Sequence, residues 1–174
     1  MAAVIDYLDN LEIGICLKIN QLGRSESVRV FFAAVSRLGD WGYWAAMGIV
    51  LLALRGPDAI PAVLHIGITA AMGVGIYKVL KTCLVRERPY VYNGTIQLGT
   101  APLDRYSFPS GHTLHAVALS IMIVHVEPSL LLVCAPFALL VALSRIVLGL
   151  HYPSDVVVGA GIGALLASLS IAWM

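Results

Sequence analysis

The sequence predicts an all-α fold: a polytopic transmembrane helix bundle of about five spans, led by an N-terminal amphipathic helix lying in the membrane interface. Three observations predict it. Of the 174 residues, 59% are hydrophobic and only 12% are charged, and the mean hydropathy is +0.88, outside the balance of a water-soluble domain. The apolar residues gather into runs approaching the ~20 residues that a helix needs to cross a bilayer. Small residues recur in Ala70-Ala71-Met72-Gly73-Val74-Gly75 and in Gly159-Ala160-Gly161-Ile162-Gly163-Ala164, forming faces that let helices approach closely in lipid.

Taken in order, residues 2–22 set Val4, Leu8, Leu11, Ile15 and Ile19 on one stripe and Asp6, Asp9 and Glu12 off it. That pattern suits a helix lying in the interface better than one crossing it. Residues 28–38 have the same mixed character, with Arg29 and Arg37 beside Phe31, Phe32 and Val35, and are also expected at the surface. The first span is read at 41–54, between the aromatic anchors Trp41, Tyr43 and Trp44 and the stop Arg55-Gly56-Pro57-Asp58. Further spans are expected at 60–80, 110–124, 130–148 and 156–173. One domain covers 1–174, divided into interfacial helices at 1–38 and a transmembrane core at 39–174. Following the chain through the bilayer, the polar connection 86–109 and the turn 150–155 emerge on the same face.

Charge and cysteine usage bound the partners. A formal net charge of +1 supplies no field for nucleic acid, so membrane lipids are the surroundings to expect. Cys16, Cys83 and Cys134 lie far apart without metal-ligand spacing, which suits packed free thiols. Asp6, Asp9 and Glu12 interrupt the place where the uncharged core of a cleavable signal peptide would lie, so insertion is expected to rely on the spans themselves.

On the polar face converge Lys78, Lys81, Arg86, Arg88, Ser110, His112, Arg145, His151 and Asp155. Ionisable side chains at membrane depth are costly unless paired or hydrated, and their convergence points to function. Lys81, Arg88 and Arg145 together need counter-charge, and phosphate oxygens accept hydrogen bonds from arginine in a forked geometry. Pro109-Ser110-Gly111-His112 reads as a helix start, with Ser110 as its cap and Gly111 admitting a close approach of an anion to the backbone. Pro153 suits the first turn of the last helix, and Asp155 follows His151 by four residues. A carboxylate there can accept the imidazole N–H and leave the other nitrogen as a lone pair for attack on phosphorus. Lys78 and Arg86 read as cations whose heads reach the interface, His115 as an interhelical hydrogen-bonder, and His65 and His125 as structural.

Three ordered patterns stand out: Lys81 with Arg88-Pro89, then Pro109-Ser110-Gly111-His112, then Ser144-Arg145 with His151 and Asp155. Their order and spacing resemble the type-2 phosphatidic acid phosphatase superfamily, which also contains the vanadate haloperoxidases. The resemblance covers 81–155, and the spans suit its membrane branch. It implies that His151 attacks phosphorus to form a phosphohistidine, that His112 protonates the leaving oxygen and later activates water, and that Asp155 orients His151. It further implies that Lys81, Arg88, Ser110, Gly111 and Arg145 hold the phosphate oxygens, with neither metal nor other cofactor required. The substrate it implies is a lipid phosphate or pyrophosphate, and the small size, interfacial start and brief loops look like those of the bacterial undecaprenyl pyrophosphate phosphatases. Phosphatidylglycerophosphate, phosphatidate and lipid A 1-phosphate remain open, as do transfer of the phosphoryl group to a second acceptor and an anion-binding transporter. Lysine and arginine counts alone would put the motif face in the cytoplasm, whereas the resemblance implies a multi-pass protein of the cytoplasmic membrane with an extracytoplasmic site.

Overall fold

The computed structural model describes residues 2–174, with side chains described from residue 10 onward. The helices are α1 (Ala2–Asn20), α2 (Glu26–Arg37), α3 (Tyr43–Arg55), α4 (Ile60–Cys83), the single turn α5 (Pro89–Tyr92), α6 (Gly111–Val126), α7 (Leu131–Val147) and α8 (Pro153–Ile171). No strand occurs among the described residues. The segments 26–83, 128–147 and 153–171 are long and apolar enough to cross a membrane, and α6 is a shorter apolar helix. The fold is therefore the all-α membrane bundle that the hydropathy predicts.

One expectation is corrected. Residues 28–38 do not lie apart at the surface: α2 runs through a π turn, Leu38–Gly42, directly into α3. The chain 26–55 is thus one helical rod of about 45 Å at ~1.5 Å per residue, and the boundary drawn between 38 and 39 falls inside it. The cause is packing. Val35 and Ser36 are buried and α2 lies against α7, so a protein neighbour covers one face of this amphipathic segment. Val35, Trp44, Leu51, Leu119, Ile123, Cys134 and Val141 share one apolar core built from α2, α3, α6 and α7.

Helix α1 divides its apolar residues between its surroundings and the protein. Leu11 and Ile15, from the apolar stripe, are exposed, whereas Ile13, Cys16 and Leu17 pack against Tyr90, Ile96 and Tyr152. Val4, Leu8, Asp6 and Asp9 lie outside the residues whose side chains are described. Asn20 ties the end of α1 down: its amide donates to Gln97 O and Val147 O, both at 2.9 Å, and its carbonyl accepts from Gln97 N at 2.8 Å.

The small-residue face of α8 does what its spacing predicts. A Cβ on Gly159 would stand 2.6 Å from Ser110 O, and one on Gly163 would collide with Leu114 O. Helices α6 and α8 are therefore in backbone contact, which brings the start of α6 beside the start of α8. His65, Thr69 and Ser170 form a small polar tie between α4 and α8, with Thr69 Oγ1 and Ser170 Oγ 2.6 Å apart and His65 Nε2 2.8 Å from Ser170 Oγ, a structural use of His65. Gly163→Ala is expected to wedge α6 from α8 and to lower stability by about 1–3 kcal/mol. A fall in the melting temperature of the purified protein in detergent would show it, and an unchanged melting temperature would contradict the packing.

Candidate active site

Lys81, Arg88, Gly111, His112, Arg145 and His151 all line one cavity of about 320 Å³. Five segments bring them there. Lys81 stands in the last turn of α4 and Arg145 in the last turn of α7, so both cations sit at helix C-terminal ends, where the dipole favours positive charge. Arg88 comes from the polar connection between α4 and α6. Gly111 and His112 open α6, whose cap is Ser110: its hydroxyl accepts from Thr113 N at 3.4 Å and pairs with Thr113 Oγ1 at 2.9 Å. Ser110 is itself fully buried behind the cavity rather than among its lining groups.

The turn from α7 to α8 explains the position of His151. Gly149 has φ +73°, the left-handed conformation that ends a helix at little cost for glycine. Leu150 N and His151 N then both donate back to Arg145 O, at 3.0 and 3.1 Å. This hairpin locks His151 beside Arg145.

Asp155 stands behind His151, fully buried, with its Oδ2 3.4 Å from His151 Nδ1. The contact is not aligned as a hydrogen bond. On the other side of the ring, Arg88 Nη1 lies 3.5 Å from His151 Nε2. Guanidinium can only donate, so that contact places the lone pair on Nε2, facing the cavity, and the ring proton on Nδ1, facing the carboxylate. Burial, then the positive charges of Arg88, Arg145 and Lys81, hold the imidazole well below the ordinary histidine range. His151 is therefore neutral at neutral pH, the form in which a histidine is a nucleophile.

The cations themselves are unevenly satisfied. Lys81 Nζ donates to Asp104 Oδ1 and Tyr106 O, both at 2.7 Å, and Arg88 Nη2 reaches the same Asp104 oxygen at 2.8 Å. Burial pushes the Asp104 carboxyl up, but the Lys81 hydrogen bond and the charges of Lys81 and Arg88 outweigh it and hold it below the usual carboxylate range. Arg145 donates to Ser36 Oγ, while its Nε is buried without a hydrogen-bond partner. His112 Nε2 meets Asp40 Oδ1 at 2.5 Å. Among the described residues, no group of three or more His, Cys, Asp or Glu stands close enough to hold a metal ion.

Away from these charges the cavity wall is apolar, with Trp41, Trp44, Ala70, Ala71, Val74 and Leu119. Trp44, Ala70 and Leu119 also line a second cavity of about 290 Å³, which runs between α3 and α4 past Gly48, Ile66 and Ile123. A polar pocket thus adjoins an apolar one through a shared wall.

A family model, the PAP2 superfamily, matches residues 62–174. The chain belongs to the PAP2 superfamily. Among PAP2 and related proteins, the undecaprenyl-diphosphatase of Sulfolobus acidocaldarius is 29% identical over 93% of this chain and 77% of its own length. The decaprenylphosphoryl-5-phosphoribose phosphatase of Mycolicibacterium smegmatis is 37% identical over 72% of this chain and 68% of its own. The crystal structure of Aquifex aeolicus LpxE superposes with a TM-score of 0.75 at 29% identity, covering 93% of this chain and 95% of that one. These relatives place the chain among membrane enzymes that act on lipid phosphates.

Several residues of this PAP2 site have no signal in the motif spacing. Asp104, Asp40, Ser36 and Tyr77 come from segments whose sequence shows no chemistry-bearing pattern. Arg86 is corrected from a cation reaching the interface: only 4% exposed, its guanidinium donates to Asp155 Oδ1 at 2.6 Å, to Ser154 Oγ at 2.7 Å and to Glu12 Oε2 at 2.8 Å, and it stacks 3.9 Å from the Tyr152 ring centroid. Lys78, by contrast, is exposed. His115 bridges α6 to Ala70 O at 3.0 Å as an interhelical tie, and its ring edge lines the cavity. Removing one partner of a buried ion pair strands the other, so Arg86→Ala is expected to cost about 3–5 kcal/mol of stability. Lys78→Ala should stay within about 0.5 kcal/mol of the parent. Equal losses in thermal or denaturant unfolding would contradict this assignment.

Proposed function

We propose that this PAP2 protein hydrolyses a lipid-linked phosphate through a phosphohistidine on His151, with a polyprenyl diphosphate the foremost substrate. The observation that carries the reading is the meeting of three buried cations with His112 and His151 at one cavity whose far wall is apolar. Phosphoryl transfer asks for positioned positive charge around the equatorial oxygens, and Lys81, Arg88 and Arg145 supply it. The orphaned Arg145 N–H and the unbonded N–H groups at the start of α6 are donors suited to those oxygens. The relatives named for undecaprenyl diphosphate and decaprenylphosphoryl-phosphoribose share a polyprenyl-linked phosphate, which favours that lipid class. The apolar cavity between α3 and α4 offers the first isoprene units a place beside the headgroup.

In the mechanism, His151 Nε2 attacks phosphorus in line with the leaving oxygen, and His112, entering as imidazolium, gives that oxygen its proton. The Nε2–P bond forms as the P–O bond breaks. Neutral His112 then takes a proton from water, whose oxygen attacks the phosphohistidine and returns His151 to its starting state. Asp155, 3.4 Å from Nδ1, faces the ring proton with its carboxylate, and Arg86 with Tyr152 N holds Asp155.

Purified protein assayed with polyprenyl diphosphate, phosphatidylglycerophosphate, phosphatidate and lipid A 1-phosphate is expected to release phosphate fastest from the first. His151→Ala should reduce release to background in a folded protein, and His112→Ala should lower kcat by about 10²–10⁴. Protonating His151 removes its lone pair, and its pKa is depressed, so activity should persist below the ordinary histidine value near ~6.5 before it falls on the acid side. Undiminished turnover by His151→Ala would sink the mechanism. We also place the site on the extracytoplasmic face of the cytoplasmic membrane, in line with the family resemblance. A cysteine at Asn93 should then react with an impermeant thiol reagent in intact spheroplasts, and protection from it would reverse the orientation.

A further inference from the structure

The lysine, arginine and histidine side chains at the cavity lie within the matched residues 62–174, yet one charged group there comes from outside them. Asp40 belongs to the π turn Leu38–Gly42, in which Tyr43 N reaches back five residues to Leu38 O. Such a turn inserts an extra residue into the helical repeat and is frequently found at functional sites. Here it is buttressed on both sides. The Trp44 indole donates to Gly39 O at 3.0 Å, and a Cβ on Gly39 would stand 2.9 Å from Val141 Cγ2, so the rod presses directly on α7 at this level. One turn earlier on the same rod, Ser36 receives Arg145.

The result is a short contact, 2.5 Å, between Asp40 Oδ1 and His112 Nε2, with both residues lining the cavity. We propose that Asp40 is the positioning residue of the proton donor: its carboxylate fixes the His112 ring through Nε2–H, sustains the imidazolium, and leaves Nδ1–H as the proton delivered to the leaving oxygen. Asp40 keeps its charge throughout, and the transferred proton comes from His112 alone. This assignment rests on the phosphatase reading above.

The charges around His112 show why such a carboxylate is needed. Arg145 from α7, Lys81 from α4 and Arg88 from the α4–α6 connection face the same cavity, as do the imidazoles of His151 and of His115 on its own helix. Tyr77 from α4 is the remaining titratable neighbour. Of the carboxylates, Asp104 is bound to Lys81 and Arg88 and Asp155 to Arg86 behind His151. Arg37, on the rod itself, lies on the Asp40 side. A proton donor must begin charged, and every other charged group that lines the cavity besides Asp40 and Asp104 opposes that charge.

The test is the pH profile of kcat on polyprenyl diphosphate for the full chain in detergent, comparing the parent, Asp40→Asn and Asp40→Glu. Loss of the carboxylate makes imidazolium harder to hold, so the alkaline limb of Asp40→Asn should move down by about one pH unit or more. Its kcat at neutral pH should fall at least about tenfold with KM little changed, while Asp40→Glu, which retains the charge, should keep most of the parent's limb and rate. An alkaline limb that stays in place in Asp40→Asn overturns the proposal, whether or not the rate falls, because a purely structural role would lower the rate without moving the limb. Should Asp40→Asn fail to fold, Asp40→Glu decides: a limb displaced to lower pH despite the retained charge overturns it. A parent protein inactive on every lipid phosphate would instead defeat the phosphatase reading.

Discussion

Like charges gathered in a membrane protein repel one another and lose their hydration, and the arrangement of this bundle answers that constraint. Lys81, Arg88 and Arg145 are each less than a tenth exposed, and an isolated buried cation is not tolerable at that depth. Each is therefore tied to an acceptor on another segment: Lys81 and Arg88 to Asp104, Arg88 also to Leu150 O at 2.9 Å, and Arg145 to Ser36. The α4–α6 connection is drawn inward by this need. Charge acts there beside a small apolar cluster, in which Tyr90 and Ile96 of the connection pack with Cys16 and Tyr152.

Around that centre the helices act as a frame with tight tolerances. Glycine at 159 and 163 lets α8 touch the backbone of α6, and Ser110 N donates to Asp155 O at 3.1 Å across the same junction. Two helix starts, carrying His112 and Asp155, are thereby set in one relation. A second chain of contacts runs outward from His151 through Asp155 and Arg86 to Glu12 of α1, and Glu12 also accepts from Ser154 N and Oγ at 2.6 Å. The first helix is thus joined to the orientation of His151, which an unattached helix on a membrane surface would not be.

What was legible in the sequence divides along the range of the interactions. Hydropathy and helical period revealed α4, α6, α7 and α8, because their apolar faces are local and repeated, and the spacing of Lys81, Arg88, His112, Arg145 and His151 announced the cavity that these residues line. The cap at Ser110 and the carboxylate behind His151 were readable for the same reason: each partner lies within four residues. Arg86 was misread because its partners, Glu12 and Asp155, are remote in sequence, so its neighbours in the chain gave it the look of an interfacial cation. The segment 28–38 was misread because the surface that buries Val35 and Ser36 belongs to α7, and no local pattern announces a protein neighbour. Asp40 and Asp104 carry no motif at all; only the folded chain shows which cations they meet.

The seat of Asp104 has a consequence for competition among anions. Lys81 and Arg88 already share one carboxylate oxygen between them, so any ligand that comes between these two cations is weighed against a resident single negative charge and not against water. A phosphodiester, the linkage of ordinary bilayer lipids, also carries one charge and gains little Coulomb energy from the exchange. A terminal phosphate or diphosphate carries more, and the surplus is felt at short range in a poorly screened cavity. Tethered on its own loop, the carboxylate is the resident charge that an anion must displace to come between these two cations.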